Sequence, residues 1–231
     1  ISVPAPSGAN ENTKVYCIDD GMEDMSATYN DSNKTLKWTT KHLSTFAAIT
    51  LKESDVATWT TGSNSGSGNL AAALNAVKDS GGTITLLKDA ALDNANYTIS
   101  EPVTIQGAGT IDATVADGAS TIGFSIKKDA SLTLNGVTMN VKGTKAESAK
   151  AGNDGTAIEL QNGGSLLVKN DASLNLTNLN RGMIMTGTPA PVKTAVSVED
   201  ATLTAKGIDG NFSNGGQFTF TNATVKIEDC G

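Results

Sequence analysis

The chain has 231 residues and a formal net charge of −7, with 18% charged, 38% hydrophobic and 4% aromatic residues. That length admits one large domain or two smaller ones with a sizeable core. The acidic balance, with Arg181 the single arginine, excludes a nucleic-acid binder, which needs a cationic face and arginine forks for phosphate and guanine edges.

Thr, Ser, Asn, Gly and Ala stand where a helical bundle would carry Leu, Glu and Lys, so the bias is towards short strands joined by polar turns. No apolar run approaches the roughly 20 residues needed to cross a bilayer, and no membrane insertion is expected of this fragment. "ISVPAPSGANENT" lacks the plan of a signal peptide. "VKIEDCG" stops within a strand-like pattern, so the chain reads as a processed or trimmed piece of a longer protein.

In chain order, residues 1–13 read as a flexible lead-in. "KVYCI", "MSATY" and "TLKWTTKHLSTFAAITL" then alternate apolar and polar positions around the turns "DDGMED" and "NDSNK", the period of half-buried strands. Val15, Tyr16, Tyr29, Trp38 and Phe46 supply the core of a small antiparallel β module at 1–53. His42, the only histidine, has no ligating or catalytic neighbours in sequence and reads as a strand residue at the module edge. The run His42-Leu43-Ser44-Thr45-Phe46-Ala47-Ala48-Ile49 resembles the last strand of a repeat-bearing module of Gram-positive bacterial surface proteins. That resemblance implies a structural spacer.

The Gly and Ser density of "TWTTGSNSGSGN" predicts a flexible linker at 54–68. Trp59 within it is expected to pack at the module junction and not to stack on a ligand. The period then changes. Leu70, Leu74 and Val77 fall on one face of a helix at 70–79, with Asn69 to cap its start and Gly81 or Gly82 to end it.

From residue 83 onward, apolar pairs recur, among them Ile84/Leu86, Val103/Ile105, Leu132/Leu134, Leu174/Leu176 and Val225/Ile227. "KKDASLTLNG" at 127–136 returns as "KNDASLNLTN" at 169–178, with looser echoes at "VEDATLTAKG" and "FTNATVKIED". Short strands meeting at Asp, Asn and Gly corners are the signature of a solenoid. At about 20 to 30 residues per coil, five to seven coils are expected. Residues 143–155 and 181–193 read as long excursions. "LAAALNAVKDSGGTITLLKD" followed by "YTISEPVTIQGAG" resembles the opening of pectate-lyase-like right-handed parallel β-helices in bacterial adhesin-like proteins. The fold expected is therefore all-β: a right-handed single-stranded parallel β-helix at 69–231 with an N-terminal capping helix, preceded by the antiparallel module.

Enzymes that this resemblance brings to mind hold calcium with acidic clusters beside a cationic base, or carry several aspartates with a histidine. Here His42 lies outside the repeats, and Arg181 begins an excursion with no acidic neighbour. Asp129, Asp171, Glu199 and Asp200 recur at what reads as one corner of the repeat, where turn chemistry explains them better than opposed catalytic carboxylates. Cys17 and Cys230 could bridge only with α-carbons within about 7 Å, and two unpaired thiols are expected. The resulting expectation is a non-enzymatic, monomeric adhesin-like or structural protein, extracellular at the cell surface or wall. It has no catalytic residues, metal or cofactor, and its partners are host or environmental glycans or proteins. The rival is a carbohydrate-active β-helix enzyme, a polysaccharide lyase or glycoside hydrolase.

Overall fold

The computed structural model describes residues 1–19, 23–41, 44–52, 54–116, 121–144, 155–186, 195–210, 212–213 and 216–230. The first six strands are β1 (Ser2–Pro4), β2 (Thr13–Cys17), β3 (Glu23–Asp24), β4 (Thr28–Asn30), β5 (Thr35–Lys37) and β6 (Phe46–Thr50). They form two three-stranded antiparallel sheets, ordered β1-β5-β4 and β3-β2-β6. Val15, Leu36 and Trp38 are buried between them, with Tyr29 and Phe46 packed alongside. The turn before β5 forms because the Asn30 side-chain oxygen accepts from the amide of Ser32 at 3.0 Å, a local substitute for strand pairing.

Two readings of this half are corrected. The lead-in is not all flexible: β1 pairs with β5, and the Ile1 amino group donates to the Trp38 carbonyl at 2.7 Å. The edge of β5 offers unpaired backbone groups, and this segment satisfies them. Nor are residues 54–68 a linker. They form a hairpin, β7 (Ala57–Thr61) and β8 (Asn64–Gly68), whose β7 runs antiparallel to the next strand of the body. Alternation in "ATWTT" outweighs the Gly/Ser content, because the glycines make room for an aromatic. Trp59 faces Gly66 across the hairpin, where a Cβ would stand 2.5 Å from the indole Cζ2. The ring packs against the main core, at the junction.

The module is also tied to the hairpin. Tyr16 is buried and hydrogen-bonds Thr58; burial, with the Asp24 charge, pushes its phenol above the ordinary range. Asp55 is buried between the two parts and accepts from the Lys52 amide at 2.9 Å and the Ser67 hydroxyl at 2.6 Å. Burial works against its ionisation, but these bonds and the Lys52 and Lys88 ammonium groups outweigh it and hold the carboxyl below the usual range. A depressed carboxyl stabilises the fold above its unfolded pKa of about 4, and that contribution is lost as pH falls through the folded value. Asp55→Ala is expected to cost about 1–3 kcal/mol at pH 7. In urea melts the gap from the parent should narrow steadily below about pH 4.

The helix α1 (Leu70–Val77) starts where predicted: the Asn69 side chain accepts from the Ala72 amide at 2.8 Å, and the Gly81 amide returns to the Val77 carbonyl at 2.8 Å. It buries Leu70, Ala73, Leu74 and Val77 against the hairpin and the first strands of the body.

The chain then visits three sheets in rotation. The first circuit is β9 (Gly82–Leu86), β10 (Ala90–Leu92) and β11 (Tyr97–Ile99); the second is β12 (Val103–Gly107), β13 (Thr110–Val115) and β14 (Ile122–Ile126). The third is β15 (Ser131–Asn135), β16 (Thr138–Gly143) and β17 (Thr156–Gln161); the fourth is β18 (Ser165–Lys169), β19 (Ser173–Leu179) and β20 (Arg181–Thr186). β21 (Ala195–Glu199) and β22 (Thr202–Ile208), then β23 (Gln217–Thr221) and β24 (Thr224–Cys230), complete the order. Sheet I is β8-β7-β9-β12-β15-β18-β21-β23, sheet II is β10-β13-β16-β19-β22-β24 and sheet III is β11-β14-β17-β20. From β9 onward every pairing is parallel.

The protein is thus mostly β, built on parallel sheets of several strands, with six such layers in sheet II. Each alternate residue points inward and meets its equivalent in the layers above and below. Ile84, Ile105, Leu134, Val168, Val198 and Phe220 form one such file. Ile111, Met139, Leu174, Leu203 and Val225 form another. Both files are buried as far as the layer of β21 and β22, but Phe220, Val225 and Ile227 in β23 and β24 are exposed. The spacing between equivalent residues in sheet I runs from 21 (Thr83 to Thr104) to 34 (Leu132 to Leu166), because the connections, not the strands, vary in length.

Candidate functional site

The corner residues explain where the carboxylates go. Asp129, Asp171 and Asp200 have φ of 62°, 62° and 47°, and Asn170 and Asn222 have 55° and 48°. Left-handed backbone at these positions is tolerated by Asp and Asn far better than by most side chains. The following alanines, Ala130, Ala172 and Ala201, are buried, so each Asp-Ala pair turns the chain and re-enters the core. The expectation that these residues share one corner is corrected. Asp129 lies between sheets III and I, whereas Asp171 and Asp200 lie between sheets I and II. The Asp171 amide donates to the Asp200 carbonyl at 2.7 Å, and the Asn222 side-chain amide donates to the Asp200 carboxylate at 3.1 Å. At the other corner Gly163 stacks on Asp129, where a Cβ would sit 2.4 Å from its Oδ1. Glu199 is half-buried on β21, and its carbonyl accepts from the Asn170 amide at 3.3 Å.

This assigns the aspartates to backbone geometry, and the assignment has a direct check. Asp171→Gly is expected to leave stability nearly unchanged, since glycine adopts left-handed φ freely. Asp171→Ala should lose about 1 kcal/mol. Thermal melts of the two variants against the parent decide it.

The outer face of sheet II carries hydrogen-bonded polar files. Asn140 donates to Asp112 at 2.7 Å and Asn175 donates to Asn140 at 2.9 Å. Thr110, Thr138, Ser173, Thr202 and Thr224 run beside them in register. On sheet III a network missed from the sequence joins three neighbouring strands. Ser125 donates to Glu159 Oε2 at 2.6 Å, Gln161 to the same oxygen at 3.2 Å, and Thr186 to Oε1 at 3.1 Å. These three neutral donors bind both oxygens of a half-buried carboxylate and lock β14, β17 and β20 together; general acid–base cleavage of a glycoside would instead need a second carboxylate facing it across the bond. The outward position of Glu159 between inward Ile158 and Leu160 in "AIELQ" was the available signal.

Arg181 is not in an excursion. It is the exposed first residue of β20, and the following Met183 and Ile184 are buried strand residues. Arg181 pairs in register with Thr156, whereas Glu159 faces Ile184, three residues or about 10 Å further along the strand. The residues 187–193 of that predicted excursion, most of 143–155 and His42 lie outside the described residues. Cys17 is buried in the N-terminal module and Cys230 half-buried at the end of β24, and both are free thiols.

Among the described residues, no group of three or more His, Cys, Asp and Glu converges as a metal ion would require. No helix there is long and apolar enough to cross a membrane. Fold and surface together define a mostly β protein on parallel sheets, with Thr, Ser and Asn files on its outer faces. Comparison of the chain with protein-family models, with curated proteins and with solved structures finds no match.

Proposed function

We propose that this protein is a non-enzymatic, adhesin-like or structural scaffold, extracellular at the cell surface. Its body is read as a right-handed single-stranded parallel β-helix, closed at one end by α1 and the β7–β8 hairpin. The single observation that supports this most is the rotation of the chain through sheets I, II and III, with the same inward files in each layer. Such an architecture stacks without limit and can display loops wherever a connection lengthens. The carboxylates that an enzyme of this shape would gather are instead engaged in left-handed corners and in strand-to-strand hydrogen bonds. Covering the terminal layer with a helix answers the exposed strand edges that an open stack would present.

The experiment is a pair of assays on purified protein. A panel of acidic and neutral polysaccharides and surface proteins is screened for binding, and the same polysaccharides are incubated for release of reducing ends or of unsaturated uronides. Binding without turnover is the expected result. Turnover abolished by Glu159→Gln would replace the scaffold reading with a carbohydrate-active one.

A further inference from the structure

The last layer of the parallel body ends on two free strand edges. Among the described residues, β23 closes sheet I and β24 closes sheet II with no strand on their outer side. Of the four large hydrophobic side chains exposed among the described residues, three lie here: Phe220, Val225 and Ile227. Apolar side chains beside an unpaired edge are a template for another strand. The backbone of β24 fixes how that strand must run. The Thr224 amide donates towards β22, to the Ala201 carbonyl at 3.0 Å. Backbone groups alternate in direction along a strand, so those of Lys226 and Glu228 also serve β22, and those of Val225 and Ile227 face the open side. A second β24 laid antiparallel meets them when Ile227 of each copy exchanges both N–H···O bonds with the other. That register places Lys226 opposite Glu228 of the second copy, twice, in the non-hydrogen-bonded pairs where α-carbons approach to about 4.5 Å. Opposite charges facing one another across strands stabilise such pairing. A lysine on an edge strand by itself keeps other chains away; here Glu228 supplies its complement. Within one strand the two side chains already meet at 2.9 Å, so two copies close a ring of alternating ammonium and carboxylate groups. On the inner face, where Ile227 continues the file of buried Ala205, the two Ile227 side chains meet at the centre.

We infer that a second copy of this chain covers the open layer, in a two-fold dimer formed by antiparallel pairing of the β24 edges about Ile227. The dimer replaces the monomer expected from the sequence. The same patch serves both copies, so the assembly is closed. Pairing β24 with β10, the other edge of sheet II, would instead run head to tail and grow into a filament. The inference stands independently of the scaffold reading, because it concerns only the free edge of the last layer.

Sedimentation equilibrium of the purified chain is expected to show a reversible dimer. Lys226→Glu and Glu228→Lys change side chains that are 61% and 41% exposed, so the far-UV spectrum should not change. Each turns two facing pairs from attraction to repulsion and should raise the dissociation constant about tenfold or more. Mixing the two variants should recover the parent affinity as a heterodimer, because every glutamate then faces a lysine. The double variant Lys226→Glu/Glu228→Lys should recover it alone, by the same exchange of charges. A parent chain that stays monomeric into the high micromolar range overturns the inference. So does parent affinity in either single variant, or a mixture that fails to associate. An open-ended filament also overturns it, since β10 would then be the occupant.

Discussion

Phe124→Ala is expected to lower the unfolding free energy by about 3–5 kcal/mol, one of the largest effects of any single substitution in the body. Phe124 is fully buried on β14, and it sits in register between Tyr97 and Ile158 of the neighbouring layers. Its ring stacks on Tyr97 at 5.8 Å and 22°, a geometry that contributes about 0.5–1.5 kcal/mol beyond area burial. Truncation leaves a void that the structure is poorly able to close. The strands above and below are fixed at the ladder spacing of about 4.8 Å by parallel hydrogen bonds, so neighbouring side chains cannot move in along the stack. Phe124→Leu, which keeps most of the volume, should lose markedly less. Urea melts followed by circular dichroism measure both; a loss below about 1 kcal/mol for the alanine variant would mean that the layer collapses more freely than this packing allows.

Leu74→Ala should cost about 2–5 kcal/mol, through a different part of the molecule. An isolated helix of this length is unstable in water, since nucleation is costly and few intrahelical bonds repay it. Eight residues of α1 therefore persist because Leu70, Ala73, Leu74 and Val77 are buried. Losing Leu74, which is fully buried, removes the centre of that contact and loosens the cover over β9. By contrast Asn69→Ala, which deletes only the cap, should cost about 1 kcal/mol. If the two variants lose equal stability in denaturant melts, α1 is held by its cap and not by the body beneath it. Leu74→Lys should go further and promote association, because it would lift the helix from β10, the edge strand of sheet II, with which other chains can pair.

Much of this architecture could be read directly from residue order. The alternation of Leu132/Leu134, Leu174/Leu176 and Val196/Val198 fixed which side chains face inward, because strand side chains alternate with a period of two. The capped start of α1 at Asn69 was equally local, and the Asp corners follow from the tolerance of Asp and Asn for left-handed backbone. What residue order did not decide was which sheet each strand joins. "KKDASLTLNG" and "KNDASLNLTN" are near copies, yet the first becomes β15 in sheet I and the second β19 in sheet II. Ser131 pairs with Ser165 and Ser173 with Thr202, so the true neighbours are 34 and 29 residues apart and the 42-residue echo is not a structural period.

The same limit explains the other departures. Residues 54–68 have the composition of a linker but pair with β9, and Ser2–Pro4 complete the edge of β5. Glu159 finds Ser125 and Thr186 only after strands distant in sequence are placed side by side. The physical reason is one of range. Side-chain alternation and corner dihedrals are set within a few residues, so they belong to the sequence alone. Register between layers depends on the length of each connection and on which inward files pack together, and those terms exist only once the chain has closed its circuits.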